Sequence, residues 1–112
     1  PPGMTGAQIF PIVKAPRNPF PERISVGRAL NCDVVLREAS VSKLHAHFHK
    51  VAPDEALVTD VKSANGTRVN GKRIGAGMAI RVVSGDTIQF GGVVVVFISP
   101  KALFDLLDLQ PR

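Results

Sequence analysis

Four separate clusters in this chain have the residue types that bind phosphate. They are Gly27-Arg28, the run from Ser42 to His45, the run from Ser63 to Thr67, and Asn70-Gly71. Cationic side chains, a hydroxyl and backbone N–H groups in tight turns together suit a tetrahedral dianion. None of the clusters sets a nucleophile beside a base in a catalytic motif, so the chemistry they indicate is binding.

Short strands must position these clusters. The apolar runs are rich in Val, Ile and Thr and are separated by Gly and turn residues, and no long helical pattern lies between them. This pattern predicts an antiparallel sandwich or barrel, whose loops at one end are neighbours in space. We therefore expect Arg28, Ser42, Lys43 and Asn65 to converge. The predicted strands are Gln8–Lys14, Arg23–Val26, Val34–Leu36, Ala46–Val51, Ala56–Val61, Thr67–Val69, Lys72–Ile74, Thr87–Phe90 and Val93–Ile98.

Turn and cap residues refine this picture. Asn70-Gly71 predicts a two-residue hairpin turn, because both residues tolerate positive φ. The run Ser84-Gly85-Asp86 predicts a second turn. Ser99, followed by Pro100 and the helix formers of Ala102–Leu109, predicts a short terminal helix. That helix could pack on the end of the sandwich or dock a partner.

Composition limits the class of protein and the compartment. The chain has 112 residues, which indicates one domain, and no apolar run approaches the length of a membrane helix. Its net charge of +5 favours an anionic partner: nucleic acid, an acidic membrane or a phosphorylated protein. A single cysteine, Cys32, and the lack of a signal-peptide pattern in residues 1–10 predict a cytoplasmic protein, or a nuclear one if the source is eukaryotic.

The order of these clusters resembles the forkhead-associated (FHA) domain. Gly27-Arg28, Ser42-x-x-His45, Asn65-Gly66-Thr67 and Asn70-Gly71 follow one another as they do in that family, and the similarity spans about Phe10 to Ile98. The resemblance implies an all-β fold, an antiparallel sandwich of about eleven strands in two sheets. It also implies that loops at one end bind phosphothreonine peptides, with no cofactor and no metal.

The resemblance also assigns roles by position. It implies that Arg28, Ser42 and Lys43 bind phosphate and that Asn65 binds the peptide backbone. Ala64 stands where some members carry a hydroxyl that touches phosphate, which predicts one contact fewer. Ser40, Ser63 and Ala64 are candidate peptide contacts, and the residues expected to structure the loops are Gly27, His45, Gly66, Thr67, Asn70 and Gly71.

The sequence thus predicts a non-catalytic recognition module in Ser/Thr-kinase signalling. We expect an extension over residues 1–9, the FHA domain over residues 10–99, and a helix and tail over residues 100–112. The expected partner is a phosphothreonine-containing protein, without nucleic acid or membrane, and the domain is expected to be a monomer. The alternative is a degenerate member of the family that makes protein contacts without phosphate.

Three other interpretations are weaker. His45, His47 and His49 share one face of a strand, but residues four apart are about 13 Å apart, too far to share one metal ion. Nucleic-acid binding fits the charge, yet the cations are scattered and there is no Tyr or Trp to stack on bases. Ser42 with His45 could suggest a nucleophile and base, but no residue is evident that would orient the histidine.

Overall fold

The computed structural model describes residues 23–106, which form nine strands and one helix. The predicted strand Gln8–Lys14 lies outside the described residues. The elements in chain order are β1 (Ile24–Gly27), β2 (Val34–Val35), β3 (Ala46–Ala52), β4 (Glu55–Asp60), β5 (Thr67–Val69), β6 (Lys72–Arg73), β7 (Ala79–Val83), β8 (Thr87–Phe90), β9 (Val93–Val96) and α1 (Pro100–Leu106).

The strands form two sheets, which confirms the predicted sandwich. One sheet has the order β2-β1-β3-β4-β7 and the other has the order β6-β5-β8-β9. Every pairing is antiparallel except that of β1 with β2, which is parallel. The prediction of about eleven strands is wrong for the described residues, which contain nine.

The core lies between the two sheets and follows the period-two alternation of their strands. In β4 the side chains of Ala56, Val58 and Asp60 are buried, and the residues between them are half-buried. Phe48 of β3 and Phe90 of β8 meet across the sheets in an edge-to-face contact, with ring centroids 6.2 Å apart. This contact fixes the two sheets against each other just below the loops that follow β8 and precede β3.

Strand β7 has no counterpart among the predicted strands. Its burial is weak: only Val82 is fully buried, while Ala79 and Arg81 are exposed. It lies at the edge of the larger sheet and pairs only with β4 among the described strands. A strand that packs few side chains leaves little hydrophobic alternation in the sequence.

The predicted turns and the helix cap are confirmed. Asn70 and Gly71 have φ values of 50° and 84°, as a two-residue hairpin turn requires. Helix α1 begins at Pro100, and the hydroxyl of Ser99 accepts the N–H of Ala102 at 3.1 Å. Within the part of the chain that is described, no helix is long and apolar enough to cross a membrane.

Candidate functional site

The loop after β1 and the loop before β3 are joined backbone to backbone. The N–H of Arg28 donates to the carbonyl of Ser42 at 3.0 Å, and the N–H of Ala29 donates to that of Lys43 at 3.1 Å. Gly27, the last residue of β1, makes this approach possible, because a Cβ there would lie 2.2 Å from the Lys43 oxygen. The two clusters that begin at Gly27 and Ser42 therefore form one surface.

Arg28 is held at one end and free at the other. Its Nε donates to the carbonyl of Val41 at 3.0 Å, while the side chain as a whole is exposed. Among residues 23–106, no acceptor bonds the two Nη nitrogens of Arg28. The guanidinium is thus oriented by the loop before β3, and its outer edge is available to an anion with two oxygens.

Ser42 connects this surface to the loop between β4 and β5. Its hydroxyl oxygen accepts the N–H of Ala64 at 3.0 Å, and its own N–H donates to Nδ1 of His45 at 3.1 Å. The hydroxyl proton of Ser42 has no acceptor within the described part of the chain. It can therefore be donated to a ligand oxygen beside Arg28.

Asn65 and Ser40 close the other side of the surface. The side-chain amide of Asn65 donates to the carbonyl of Ser40 at 2.7 Å, and the hydroxyl of Ser40 accepts the N–H of Gly92 at 2.8 Å. A Cβ on Gly91 would lie 2.3 Å from the Ser40 oxygen, so glycine is required where β8 turns into β9. Asn65 is exposed, which leaves its side-chain oxygen open to a ligand N–H.

His45 lies fully buried beneath these loops and braces them. Its Nδ1 accepts the N–H of Ser42, so its Nε2 carries the proton and donates to the carbonyl of Gly66 at 2.9 Å. The ring packs edge-on against Phe90, with centroids 5.8 Å apart. One buried imidazole thus ties the Ser42 loop to the Gly66 loop and to the core.

Asp60 organises the loop between β4 and β5. Its carboxylate accepts the hydroxyl of Ser63 at 2.5 Å, the N–H of Ser63 at 3.1 Å and the hydroxyl of Thr67 at 2.6 Å. The Ser63 oxygen in turn accepts the N–H of Gly66 at 2.9 Å. Burial by itself would raise the pKa of Asp60, but these hydrogen bonds outweigh it and hold the pKa below the ordinary 3.8.

Most of the residues predicted to form the site meet at one end of the sandwich. The structure brings together Arg28, Ser42, Ser40, Ala64 and Asn65. The Lys43 side chain is exposed on the same loop, and its carbonyl accepts the N–H of Ala29 and the Cys32 thiol, the latter at 3.3 Å. Burial raises the pKa of that Cys32 thiol above its ordinary value.

Asn70-Gly71 and Ser63, although predicted as parts of the site, do not contribute to its exposed surface. The turn Asn70-Gly71 lies at the opposite end of β5 from Gly66, where the Asn70 side chain bonds Asp86 and the N–H of Thr87. It therefore shapes the start of β8 and not the candidate site. Ser63 was a candidate peptide contact. Its hydroxyl donates to Asp60 and accepts the N–H of Gly66, so it supports the loop from within.

Sequence reasoning missed the part played by Asp60. In the sequence it lies within the predicted strand Ala56–Val61, and no role is assigned to it. The available signal was its spacing: an Asp three residues before a Ser is typical of a carboxylate that caps the following turn.

The geometry does not pair a nucleophile with a base. Both ring nitrogens of His45 bond backbone groups, and no described hydrogen bond joins the ring to the Ser42 hydroxyl. The ring cannot accept the hydroxyl proton while those bonds stand. Residues 23–106 also contain no group of three or more His, Cys, Asp or Glu side chains that could hold a metal ion.

Comparison with known proteins places this architecture in a family. The FHA domain model matches residues 24–91, which run from β1 to the turn after β8 and include Arg28, Ser42 and Asn65. The chain belongs to the FHA domain family.

Several curated proteins resemble this FHA domain. It is 35% identical over 77 residues to FHA domain-containing protein PS1 of Arabidopsis thaliana, covering 68% of the chain and 5% of that protein. It is 38% identical over 73 residues to DNA damage response protein kinase DUN1 of Saccharomyces cerevisiae, covering 60% of this chain and 14% of that kinase. Glycogen accumulation regulator GarA of Mycolicibacterium smegmatis is 35% identical over 79 residues, covering 70% and 48%. The chain thus spans about half or less of these relatives.

Solved structures share the fold. The N-terminal FHA domain of S. cerevisiae Rad53p in complex with a phosphothreonine peptide aligns with a TM-score of 0.60 and 28% identity, covering 71% of this chain and 70% of that one. Mycobacterium tuberculosis EmbR in complex with a low-affinity phosphopeptide aligns with a TM-score of 0.62 and 28% identity, covering 70% and 20%.

Proposed function

We propose that the loop surface around Arg28 binds a phosphothreonine side chain of a partner protein. The hydrogen bonding of Arg28 is the observation that carries this proposal. Its Nε donates to the carbonyl of Val41, and its Nη nitrogens have no partner within residues 23–106. Ser42 lies next to Val41 on the loop before β3, and its hydroxyl proton is also free within residues 23–106. A phosphothreonine brings close to two negative charges and three acceptor oxygens, which match these donors.

Neighbouring residues complete the recognition in this proposal. Lys43 adds an exposed positive charge near the phosphate. The open oxygen of Asn65 receives a backbone N–H of the bound segment, while its amide nitrogen stays on Ser40. Charge-assisted hydrogen bonds contribute roughly 1.5–3 kcal/mol each, and ordering the peptide costs part of this, so micromolar affinity is expected.

The proposed activity is binding without catalysis, in signalling by Ser/Thr kinases. Relatives that bind phosphopeptides or are themselves protein kinases support this context. We place the recognition domain over residues 10–99, with residues 1–9 as an extension and residues 100–112 as a helix and tail. We further propose that the domain acts as a monomer, in the cytoplasm or in the nucleus of a eukaryotic cell.

A calorimetric and NMR titration with a phosphothreonine peptide library tests the proposal. We expect binding of selected peptides, shifts at Arg28, Ser42 and Asn65, and no binding of the same peptides with unmodified threonine. Arg28→Ala should abolish binding without unfolding the domain. Arg81→Ala is the matched control, because Arg81 also carries one exposed charge but pairs with Glu55 on the far edge of the larger sheet.

Two results would contradict the proposal. One is equal affinity of Arg28→Ala and the unmodified chain for the phosphopeptide. The other is a set of NMR shifts confined to α1, where Phe104 is 45% exposed, since that would favour contacts made without phosphate.

A further inference from the structure

The dipeptide Asn-Gly stands at both ends of β5 and nowhere else in the sequence. Asn65-Gly66 precedes the strand, and Asn70-Gly71 follows it. In this dipeptide the backbone nitrogen of the glycine attacks the side-chain carbonyl carbon of the asparagine, because glycine has no side chain to obstruct the approach. A cyclic imide forms, ammonia leaves, and water opens the ring to aspartate or isoaspartate. Because both dipeptides have the sequence for this reaction, their surroundings decide which one reacts.

Asn65 is shielded from this reaction by the loop that holds it. The attacking nitrogen would be that of Gly66, which is buried and donates its N–H to the Ser63 hydroxyl at 2.9 Å. The guanidinium of Arg73 lies over Gly66, where a Cβ would come within 2.8 Å of its Cζ. The Asn65 amide nitrogen is tethered to the carbonyl of Ser40 at 2.7 Å. Within residues 23–106 nothing donates to the Asn65 side-chain oxygen, so its carbonyl carbon is not activated.

Asn70 lies in surroundings that favour the reaction. Its side-chain oxygen accepts the N–H of Thr87 at 2.9 Å, and its side-chain nitrogen donates to the Asp86 carboxylate at 3.1 Å. The N–H of Gly71 donates no hydrogen bond within the described part of the chain, and both turn residues are exposed. Apart from its chain neighbours, no atom would lie within 4 Å of a Cβ on Gly71. The attacking nitrogen is therefore open to water and hydroxide.

Each of these contacts assists one step of the reaction. Hydroxide removes the Gly71 amide proton, and the nitrogen forms a bond to Cγ of Asn70 while the carbonyl electron pair moves onto Oδ1. The Thr87 N–H stabilises the negative charge on that oxygen. The bond from Cγ to Nδ2 then breaks, and this nitrogen takes a proton from water and leaves as ammonia, its developing positive charge facing Asp86. Water then adds to the imide, so the amide and one water become a carboxylic acid and ammonia.

We propose that Asn70 is a site of spontaneous deamidation promoted by its own neighbours, whereas Asn65, in the same dipeptide, is protected. An aspartate at position 70 sets its carboxylate against that of Asp86, where an amide donor now lies. Isoaspartate adds a backbone atom to a turn of two residues. Asp86 also accepts the N–H of Val83 at 2.8 Å, so the disturbance reaches the turn between β7 and β8. Modification therefore loosens the end of the sandwich opposite to Arg28.

Ageing of the folded chain in mildly alkaline water enriched in heavy oxygen tests the assignment. Samples taken over time are digested at mildly acidic pH, and mass spectrometry measures labelled aspartate and isoaspartate at each asparagine. We expect Asn70 to deamidate roughly tenfold faster than Asn65, or more, because only Asn70 has a donor on its carbonyl oxygen. Isoaspartate among the products and a rate that rises with pH would both show that the reaction proceeds through the imide.

Two variants connect the rate at Asn70 to its surroundings. Gly71→Ala keeps the Asn70 side chain and its partners but places a methyl group beside the attacking nitrogen, so the rate should fall. Asp86→Asn removes the carboxylate that faces the departing nitrogen, and it should also slow the reaction. In both variants the rate at Asn65 in the same sample is the control, and it should not change.

A third variant tests the protection of Asn65. Ser63→Ala removes the hydroxyl that accepts the Gly66 N–H, which exposes the attacking nitrogen. The rate at Asn65 should rise, while the rate at Asn70 in the same sample stays as it was. An unchanged rate at Asn65 would contradict the protective role of this hydrogen bond.

The proposal is overturned if the two asparagines of the folded chain deamidate at equal rates, or if Asn65 reacts faster. It is also overturned if Asp86→Asn accelerates the reaction at Asn70, because the contacts of the turn would then restrain the side chain. Aged protein, separated by charge from the unmodified chain, should melt at a lower temperature, and an unchanged melting temperature would contradict the loosening. These readouts do not involve phosphothreonine binding, so they stand apart from the test of the proposed function.

Discussion

At the scale of single residues, Arg28 has two separate tasks that only arginine can combine. Its Nε bonds Val41, and its Nη nitrogens remain for the ligand. We predict that Arg28→Lys weakens phosphopeptide binding at least tenfold despite the retained charge, because a single ammonium nitrogen cannot stay on Val41 and also present a planar two-nitrogen fork to the phosphate. Isothermal titration measures the loss, and an unchanged melting temperature shows that the fold is intact. Near-normal affinity of the lysine variant would contradict the two-task assignment.

The His45 side chain acts on stability more than on the ligand. We predict that His45→Ala lowers the free energy of unfolding by about 2–4 kcal/mol, because it leaves the buried Ser42 N–H and Gly66 carbonyl without partners and opens a cavity beside Phe90. Urea unfolding measures this loss. A large loss of phosphopeptide affinity at an unchanged melting temperature would instead assign His45 to ligand contact.

The residue scale also shows what the sequence could and could not predict. The order of Arg28, Ser42 and Asn65 was enough to predict that they share one end of the sandwich. The three hydrogen bonds of Asp60 were not predictable, because which hydroxyls turn toward a carboxylate depends on the path of the loop. The same is true of the Arg73 guanidinium over Gly66, since the direction that a long side chain takes from β6 is not set by residue type.

At the scale of elements, the two ends of β5 differ in function although both are formed by glycine turns. Gly71 has φ of 84° and open space around its Cα, whereas Gly66 has φ of 85° and lies against Arg73. We predict that Gly71→Ala costs about 1 kcal/mol of stability through backbone strain alone and leaves phosphopeptide affinity unchanged. Thermal unfolding and calorimetry measure the two effects.

Gly66→Ala is the matched comparison at the site end of β5. The alanine adds the same backbone strain and also a clash with the Arg73 guanidinium. It displaces the Gly66 N–H bound to Ser63 and the Gly66 carbonyl bound to His45. Both stability and affinity should therefore fall. If Gly71→Ala weakened binding as much as Gly66→Ala, the two ends of β5 would not be functionally separate.

Strands that bury alternate side chains were predictable, and β7 was not. The pairs of β3 with β4 and of β5 with β8 combine clear alternation with turn residues at their ends. In β7 only Val82 is fully buried, so its stability comes from backbone hydrogen bonds to β4, which have no signature in residue type. The pairing of β7 with β4, and not the pattern of its side chains, makes this segment a strand.

At the scale of the whole molecule, the four side chains whose pKa is lowered in the fold act on stability in the same direction. Burial first, then the charges of Arg23 and His49, lower the pKa of His47 below 6.5. The Arg81 hydrogen bond lowers that of Glu55, and the N–H of Val83 lowers that of Asp86. With Asp60, each of these groups holds its proton less tightly when folded than when unfolded. Acid therefore favours unfolding at every one of them.

We predict a two-step loss of stability as the pH falls. Through 6.5 the unfolded chain gains a proton at His47 that the folded chain does not bind, which gives a small first decline. Near pH 4 the unfolded carboxylates take up protons while the folded ones remain ionised, and stability present at neutral pH is then lost as the pH drops further. Urea midpoints measured from pH 8 to pH 3 follow both steps.

Two variants separate the steps. His47→Gln should remove the first decline only, because a glutamine does not titrate. Asp60→Asn should lower stability at pH 7, where the carboxylate normally accepts the Ser63 and Thr67 donors, and should flatten the acid limb because that proton uptake is gone. An Asp60→Asn variant whose stability falls with acid as steeply as that of the unmodified chain would show that the hydrogen bonds of Asp60 do not hold its carboxylate ionised in the fold.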